Sequence, residues 1–370
     1  MDDWIPVTRL AVTAALLLTI AGTSGNATAT ADPNTWHEVA ALPMTWIQEM
    51  SFVSACVGFA TGGDHQLLRT IDGGVTWTPV IDEYPYYWYG VRALTPNDIV
   101  ATAFYQSTDA YTAVLRWSHD GGDTWSDDLV LANSGYTVPS GVHFWNSQLG
   151  FIASKTGGAP DIFRTTSGGL ALTDWTAMTV DPDWFGPQFS ALPNGHVRIS
   201  GIDYCESTDY AATWSCRPSI DPIFDGEVFF IDDEHGWVAG GGGIGVPEGD
   251  PPKFEGWVHV TTNGGVTWSD RTLDVTWPIE SVLFVSKKDG WAAGGYAIAP
   301  LMPDSGGAYV SHDGGLTWTS EGDLGVALQT CATADYHLFC AGLDGDATSH
   351  VFERDFDHIR VSGFNGNEGQ

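Results

Sequence analysis

Residues 118–125 read SHDGGDTW and residues 311–318 read SHDGGLTW. TIDGGVTW at 70–77 and TTNGGVTW at 261–268 repeat the pattern. Two looser copies lie between them. STDYAATW at 207–214 keeps Ser207, Asp209 and Trp214 but has Ala211 where glycine is expected. TTSGGLALTDW at 165–175 has Ser167 in place of Asp and extra residues before Trp175. The third positions are Asp72, Asp120, Ser167, Asp209, Asn263 and Asp313, spaced by 48, 47, 42, 54 and 50 residues. That period suits a four-stranded propeller blade.

Each unit is written alike. In 279–320, IESVLFV alternates as a strand should, KKDG is a turn, and WAAGGYA is a small-residue strand. GAYVS leads into the box, and LTWTS follows it. The box thus sits between the third and fourth strands. Paired glycines supply positive φ, and the Asp carboxylate can hold backbone N–H groups of the turn. The Trp is expected to fill the wedge between neighbouring blades. Asp72, Trp77, Asp120, Trp125, Asp209, Trp214, Asn263, Trp268, Asp313 and Trp318 are therefore read as structural.

Six boxes give six blades, and VALQTCA, YHLFCAG and SHVFERD supply three strands of a seventh. Trp36 in NTWHEVAA has the context of a box tryptophan, so the N-terminal strand is expected to complete that blade. The fold class is all-β: a seven-bladed β-propeller closed by pairing of its N- and C-terminal strands. Arg9, the apolar run at 10–22 and the small-residue stretch ATATA at 27–31 read as a signal peptide over 1–31. The propeller is expected over 32–361 and a flexible tail over 362–370, in a secreted or periplasmic protein.

Composition narrows the function. Fourteen Lys and Arg face 46 Asp and Glu, a formal net charge of −32. That excludes a nucleic-acid footprint and disfavours anionic membranes. The run at 10–22 is too short to span a bilayer, and no membrane insertion is expected. Cys205/Cys216 and Cys331/Cys340 are close pairs, expected to be disulfides across hairpins. Cys56 is left over and is expected to be a small buried residue. DGD at 344–346 is too short for a calcium loop and reads as a turn. No cofactor or metal site is read.

The boxes Thr70–Trp77, Ser118–Trp125 and Ser311–Trp318 carry the S/T-x-D-x-G-x-T-W signature. The chain therefore resembles the BNR or Asp-box repeat propellers. GFATGG, GWVAGGG and GWAAGG, with LLRTIDGGVTW, are similar to the photosystem II assembly-factor branch. The resemblance implies the fold and leaves the function open among sialidases, other glycoside hydrolases, receptors, lectins and assembly factors. Sialidases of this kind carry an R-I-P tripeptide, where this chain has RIS at 198–200. Arg69, Arg116 and Arg164 precede boxes and are expected to form strand-face ion pairs or packed stems.

Ligands of such propellers generally sit opposite the boxes. There DEYPYYWYG at 82–90 and DPDWFGPQF at 181–189 place aromatics beside acids. The candidate ligand-binding residues are Tyr84, Tyr86, Trp88, Asp181, Asp183, Trp184, Phe185 and Trp277. The function expected is a monomeric binding or assembly module for a protein or surface glycan, without catalysis of its own. The alternative is a glycoside hydrolase with paired carboxylates on that same face.

Overall fold

A computed structural model describes residues 35–42, 44–106, 111–132, 137–156, 162–180, 188–200, 203–218, 227–244, 253–273, 275, 277–296 and 305–356. The expected signal segment and the tail at 362–370 lie outside these residues. The described chain forms seven antiparallel sheets of four strands each. Blade one is Ile47–Phe52, Gly58–Gly62, Gln66–Thr70 and Thr78–Asp82. Blade two runs from Tyr87–Ala93 to Leu129–Ala132, blade three from Thr137–Phe144 to Trp175–Met178, and blade four from Gln188–Ala191 to Ser215–Pro218. Blade five runs from Val228–Phe230 to Ser269–Thr272 and blade six from Ile279–Phe284 to Thr319–Asp323. In blade seven, Ala327–Ala334, His337–Leu343 and Ser349–Asp355 are completed by His37–Leu42. First strands of successive blades touch all the way round, and blade seven meets blade one. The extra residues of the blade-three box fold as one 3-10 turn, Leu172–Asp174.

The box is a closed hydrogen-bonding unit. In blade six the Ser311 hydroxyl donates to Asp313 Oδ1 (2.9 Å) and accepts from Gly315 N (2.8 Å). Asp313 accepts Thr317 N at 2.9 Å and the Thr317 hydroxyl at 2.6 Å. Blades one and two repeat these bonds at 70–76 and 118–124. Both box glycines take positive φ, 81° and 84° in blade six. In the degenerate box Tyr210 and Ala211 are forced to φ 60° instead. Asp209 still accepts the Thr213 N–H and hydroxyl there, so the carboxylate clasp survives without the glycines.

Blade five shows that the clasp needs oxygen rather than charge. Asn263 Oδ1 accepts Thr267 N at 2.9 Å, and Asn263 Nδ2 donates to the Thr267 hydroxyl at 2.8 Å. Asp313→Asn is therefore expected to cost under about 0.5 kcal/mol, and Asp313→Ala about 1–2 kcal/mol, in urea unfolding. Equal losses would contradict this account.

The box tryptophans share the wedge rather than filling it. Trp77, Trp125, Trp175 and Trp268 each fold back to donate the indole N–H to a glycine carbonyl of their own turn. The ring that enters between blades is the first-strand phenylalanine. Phe52 stacks on Phe339 of blade seven at 4.0 Å and meets Trp77 edge-on. Phe284 stacks on Trp237 of blade five at 3.6 Å and meets Trp318 edge-on. That ring also crosses the start of the second strand of its own blade. A Cβ on Gly58, Gly150, Gly236 or Gly290 would lie 2.3–2.5 Å from the Phe52, Phe144, Phe230 or Phe284 ring. Only glycine leaves room for it.

Cys205 and Cys216 are directly paired across the third and fourth strands of blade four and form a disulfide. Cys331 and Cys340 do the same across the first two strands of blade seven. Cys56 departs from expectation: it is exposed, not buried. It lies in the turn after the first strand, where side chains escape the alternation, while its carbonyl accepts the Gly73 N–H at 3.0 Å.

Candidate functional site

The box turns lie at one end of the ring. The connections between blades and those between second and third strands lie at the other. At that end an aromatic patch spans blades one and two. Tyr84 is 80% exposed and Tyr87 37% exposed. His65, from the second-to-third-strand turn of blade one, meets Tyr84 edge-on at 5.0 Å and Tyr87 at 4.8 Å. Tyr87 stacks on Phe104 at 5.2 Å, and Phe104 also touches Tyr89 and Tyr111. Tyr89 in turn meets Trp46 at 5.5 Å. The strand period explains the layout. In Tyr87–Ala93 alternate rings point out, and those between them point into the core.

That period corrects two candidates. Trp88 is fully buried among Phe59, Leu67 and Val91 and presents no face to a ligand. Tyr86 is half-buried and engaged: its hydroxyl donates to Asp128 at 2.6 Å. The Arg116 guanidinium sits 4.8 Å over the Tyr86 ring and binds Asp128 and Glu83. Burial, then the Asp128 contact, pushes the Tyr86 hydroxyl up to about 12. Trp277 is half-buried against the core between blades five and six. Asp181, Asp183, Trp184 and Phe185 lie outside the described residues.

The three arginines before boxes do not converge. Arg69 pairs with Asp123 at 3.1 Å, Arg116 with the two acids above, and Arg164 donates to the Tyr210 carbonyl at 2.7 Å. The 344–346 stretch is a turn, with Asp344 accepting Asp346 N and Thr348 N. His119 and His312 are exposed, and each reaches an acid of its own blade, Asp98 and Asp289, at 2.9 Å.

Sequence reasoning missed the lining of the central channel, a cavity of about 310 Å³. Glu49, Arg92, His143, Glu227 and Glu280 face it from first strands or their edges. Several polar groups strap adjacent blades together. Glu49 accepts Val91 N at 3.1 Å, and Glu227 accepts the Ser281 hydroxyl at 2.6 Å and Val282 N at 3.2 Å. Ser190 accepts Phe230 N, and Gln329 accepts Ile47 N across the closing seam. Burial pushes the Glu49 carboxyl up to about 8 and that of Glu227 up to about 7. Burial, reinforced by nearby Arg92, holds His143 well below the usual imidazole range. Polar side chains within the first strands or directly before them, Glu49, Arg92, His143, Glu227 and Glu280, are the signal that could have marked this ring.

A second cleft, of about 420 Å³, opens near the boxes between blades two and three. Two of its wall groups are engaged, His119 by Asp98 and the Trp145 indole N–H by the Leu192 carbonyl at 2.8 Å, while the buried Arg92 Nε and Trp117 Nε1 find no partner. It is a gap between blades. The opposite face combines exposed ring faces with a polar channel mouth and is the better candidate.

Sequence comparison with curated proteins gives no match. The BNR/Asp-box repeat family matches residues 309–320. Among solved structures, YCF48 bound to D1 peptide superposes with a TM-score of 0.61 at 19% identity, over 88% of this chain and 98% of the other. YCF48 from Cyanidioschyzon merolae gives 0.57 at 19% identity, over 87% and 98%. An ancestral GH74 enzyme gives 0.59 at 11% identity, over 88% of this chain and 49% of that enzyme. The chain is a seven-bladed propeller with a BNR/Asp-box repeat match at residues 309–320, similar in fold to YCF48.

Proposed function

We propose that the chain is an exported binding or assembly module that holds a protein segment on the aromatic face around the channel mouth. One observation carries the reading: Tyr84 and Tyr87 stand exposed while His65 and Phe104 hold them from beneath. Amphipathic rings fixed in this way have the character of interface anchors. The net charge of −32 favours a segment with basic side chains, which also suit the faces of tyrosine rings. The likeness to YCF48 bound to D1 peptide supports a protein partner over a glycan. Two disulfides suit an oxidising compartment, and no described helix is long and apolar enough to cross a membrane.

Hydrolysis is the weaker reading. The two carboxyls whose pKa burial raises, Glu49 and Glu227, each accept a backbone N–H of the next blade. Their hydrogen bonding serves the ring.

The test pairs affinity capture and a glycan array with Tyr84→Ala and Tyr87→Ala variants. A captured protein should bind about tenfold or more weakly to each variant, while Tyr84→Ala leaves stability within about 0.5 kcal/mol. Binding should weaken as salt rises. Unchanged affinity in both variants overturns the site. Glycan binding lost in both variants replaces the protein partner with a sugar. Turnover of a glycoside abolished by Glu49→Gln or Glu227→Gln overturns the binding-module reading.

A further inference from the structure

Six blades join their third and fourth strands through a box turn. Blade seven does not, because its third strand, Ser349–Asp355, and its fourth, His37–Leu42, come from distant parts of the chain. Where the turn would stand, four metal-ligating side chains meet. His337 pairs in register with Asp355, and Glu353 pairs with both Phe339 and His37. Directly paired residues, and residues two apart on one strand, share a face of a sheet. His37, His337, Glu353 and Asp355 therefore project from one face of three adjacent strands.

Their ligand atoms converge. His337 Nδ1 lies 2.5 Å from Glu353 Oε1 and 2.8 Å from Asp355 Oδ1. His37 Nε2 lies 3.5 Å from Glu353 Oε2. The ligand atoms of His337, Glu353 and Asp355 all fall within 4.8 Å of one another. The far nitrogen of His37, Nδ1, faces the Thr35 carbonyl at 3.5 Å. A backbone acceptor on the far nitrogen is the usual support of a histidine ligand, because it turns the other nitrogen's lone pair toward the metal. Glu353 is largely covered, at 16% exposure.

We propose that these four residues bind one transition-metal dication of the zinc class, which closes the ring in place of the missing turn. Two neutral imidazoles and two carboxylates balance the charge of a dication and make a four-coordinate set. A tetrahedral zinc site separates neighbouring ligand atoms by about 3.4 Å, so His337, Glu353 and Asp355 need only small adjustments, while His37, which touches Glu353 but stands outside that compact group, swings inward to become the fourth ligand. Imidazole ligands select zinc, cobalt, nickel or copper over calcium and magnesium, which prefer oxygen.

Calorimetry with Zn²⁺ on the metal-stripped full chain tests this. The expected result is one ion per chain and a rise in Tm. His37→Gln and His337→Gln should each weaken binding about tenfold or more. His350→Gln should bind as wild type, because His350 pairs with Ala41 and Gly342 on the alternate positions of the same strands. Cobalt-loaded wild-type protein should show the visible d–d absorption of a four-coordinate site, a readout independent of how the variants fold. Zinc binding untouched by both histidine changes, a Ca²⁺ shift in Tm as large as that of Zn²⁺, or no such cobalt spectrum overturns the proposal. Each would leave only diffuse attraction to an acidic surface.

Discussion

Trp237→Ala is expected to lower the unfolding free energy by about 3–5 kcal/mol, a large share of what holds a single domain together. The side chain is 1% exposed. It stacks on Phe284 of the next blade at 3.6 Å with planes 7° apart. Its indole N–H reaches further into blade six and donates to the Gly314 carbonyl at 2.9 Å. Truncation removes the wedge between blades five and six and frees a box carbonyl at the same time. Trp237→Phe separates the two effects. It keeps a ring against Phe284 but loses the hydrogen bond, for an expected loss of about 1–2 kcal/mol. Val266→Ala is the control, because Val266 is 67% exposed on a box turn and should change stability by less than about 0.5 kcal/mol. Urea melts with unchanged slope would read all three. A loss in Trp237→Ala no larger than in Val266→Ala would show that blades five and six do not depend on this ring.

The same ring shows why the architecture could be read from sequence. A box recurs because one hairpin recurs, and its polar groups bond within eight residues, so local text carries the whole motif. Trp36 marked the closing strand, and two close cysteine pairs marked two hairpins. The blade packing also left a local trace. Phe52, Phe144, Phe230 and Phe284 each stand six residues before a glycine, because the ring lies over that backbone.

The functional end was harder to read, for geometric reasons. Alternation in an inner strand says which side chains leave the sheet, not whether they meet bulk water or a channel. By alternation alone, Glu49 and Arg92 are indistinguishable from ordinary surface residues. The run at 84–89 looked like one exposed cluster, yet strand period buries Trp88, and Arg116 with Asp128 captures Tyr86. The His37–His337–Glu353–Asp355 group has no spacing to detect, since strand register alone assembles it.

Stability should peak near pH 4–5 and fall toward pH 8. The reason is the direction of its buried shifts. Burial lifts the folded Glu49 carboxyl from 4.5 to about 8 and that of Glu227 from 4.5 to about 7. The folded state then holds more protons than the unfolded chain across this window. The stability they contribute is complete below about 4.5, declines as pH rises, and is gone above the folded values. His350 acts in the same sense. Burial lowers its pKa, but its bonds to Glu38 and Asp344 outweigh that and raise it above 6.5, so its contribution is present below 6.5 and lost as pH climbs. The acid limb has the opposite origin. Thr76 and Thr124 hold Asp72 and Asp120 below the usual carboxylate range. Asp209 falls to about 2, where the bonds from Thr213 and Ser207 outweigh its slight burial. Those contributions are complete above 3.8 and fail as pH drops toward 2. Glu49 borders the channel cavity, so the expected loss between pH 5 and pH 8 is on the order of 2 kcal/mol rather than the full shift. Glu49→Gln keeps an oxygen for Val91 N and removes the titration. At pH 8 it should be more stable than wild type by about 1–2 kcal/mol, and at pH 5 nearly equal to it. Chemical denaturation of both proteins across this range decides the matter. Parallel curves, or a variant weaker than wild type at pH 8, would mean that Glu49 is ionised in the folded ring and that Arg92 beside it, rather than a bound proton, balances its charge.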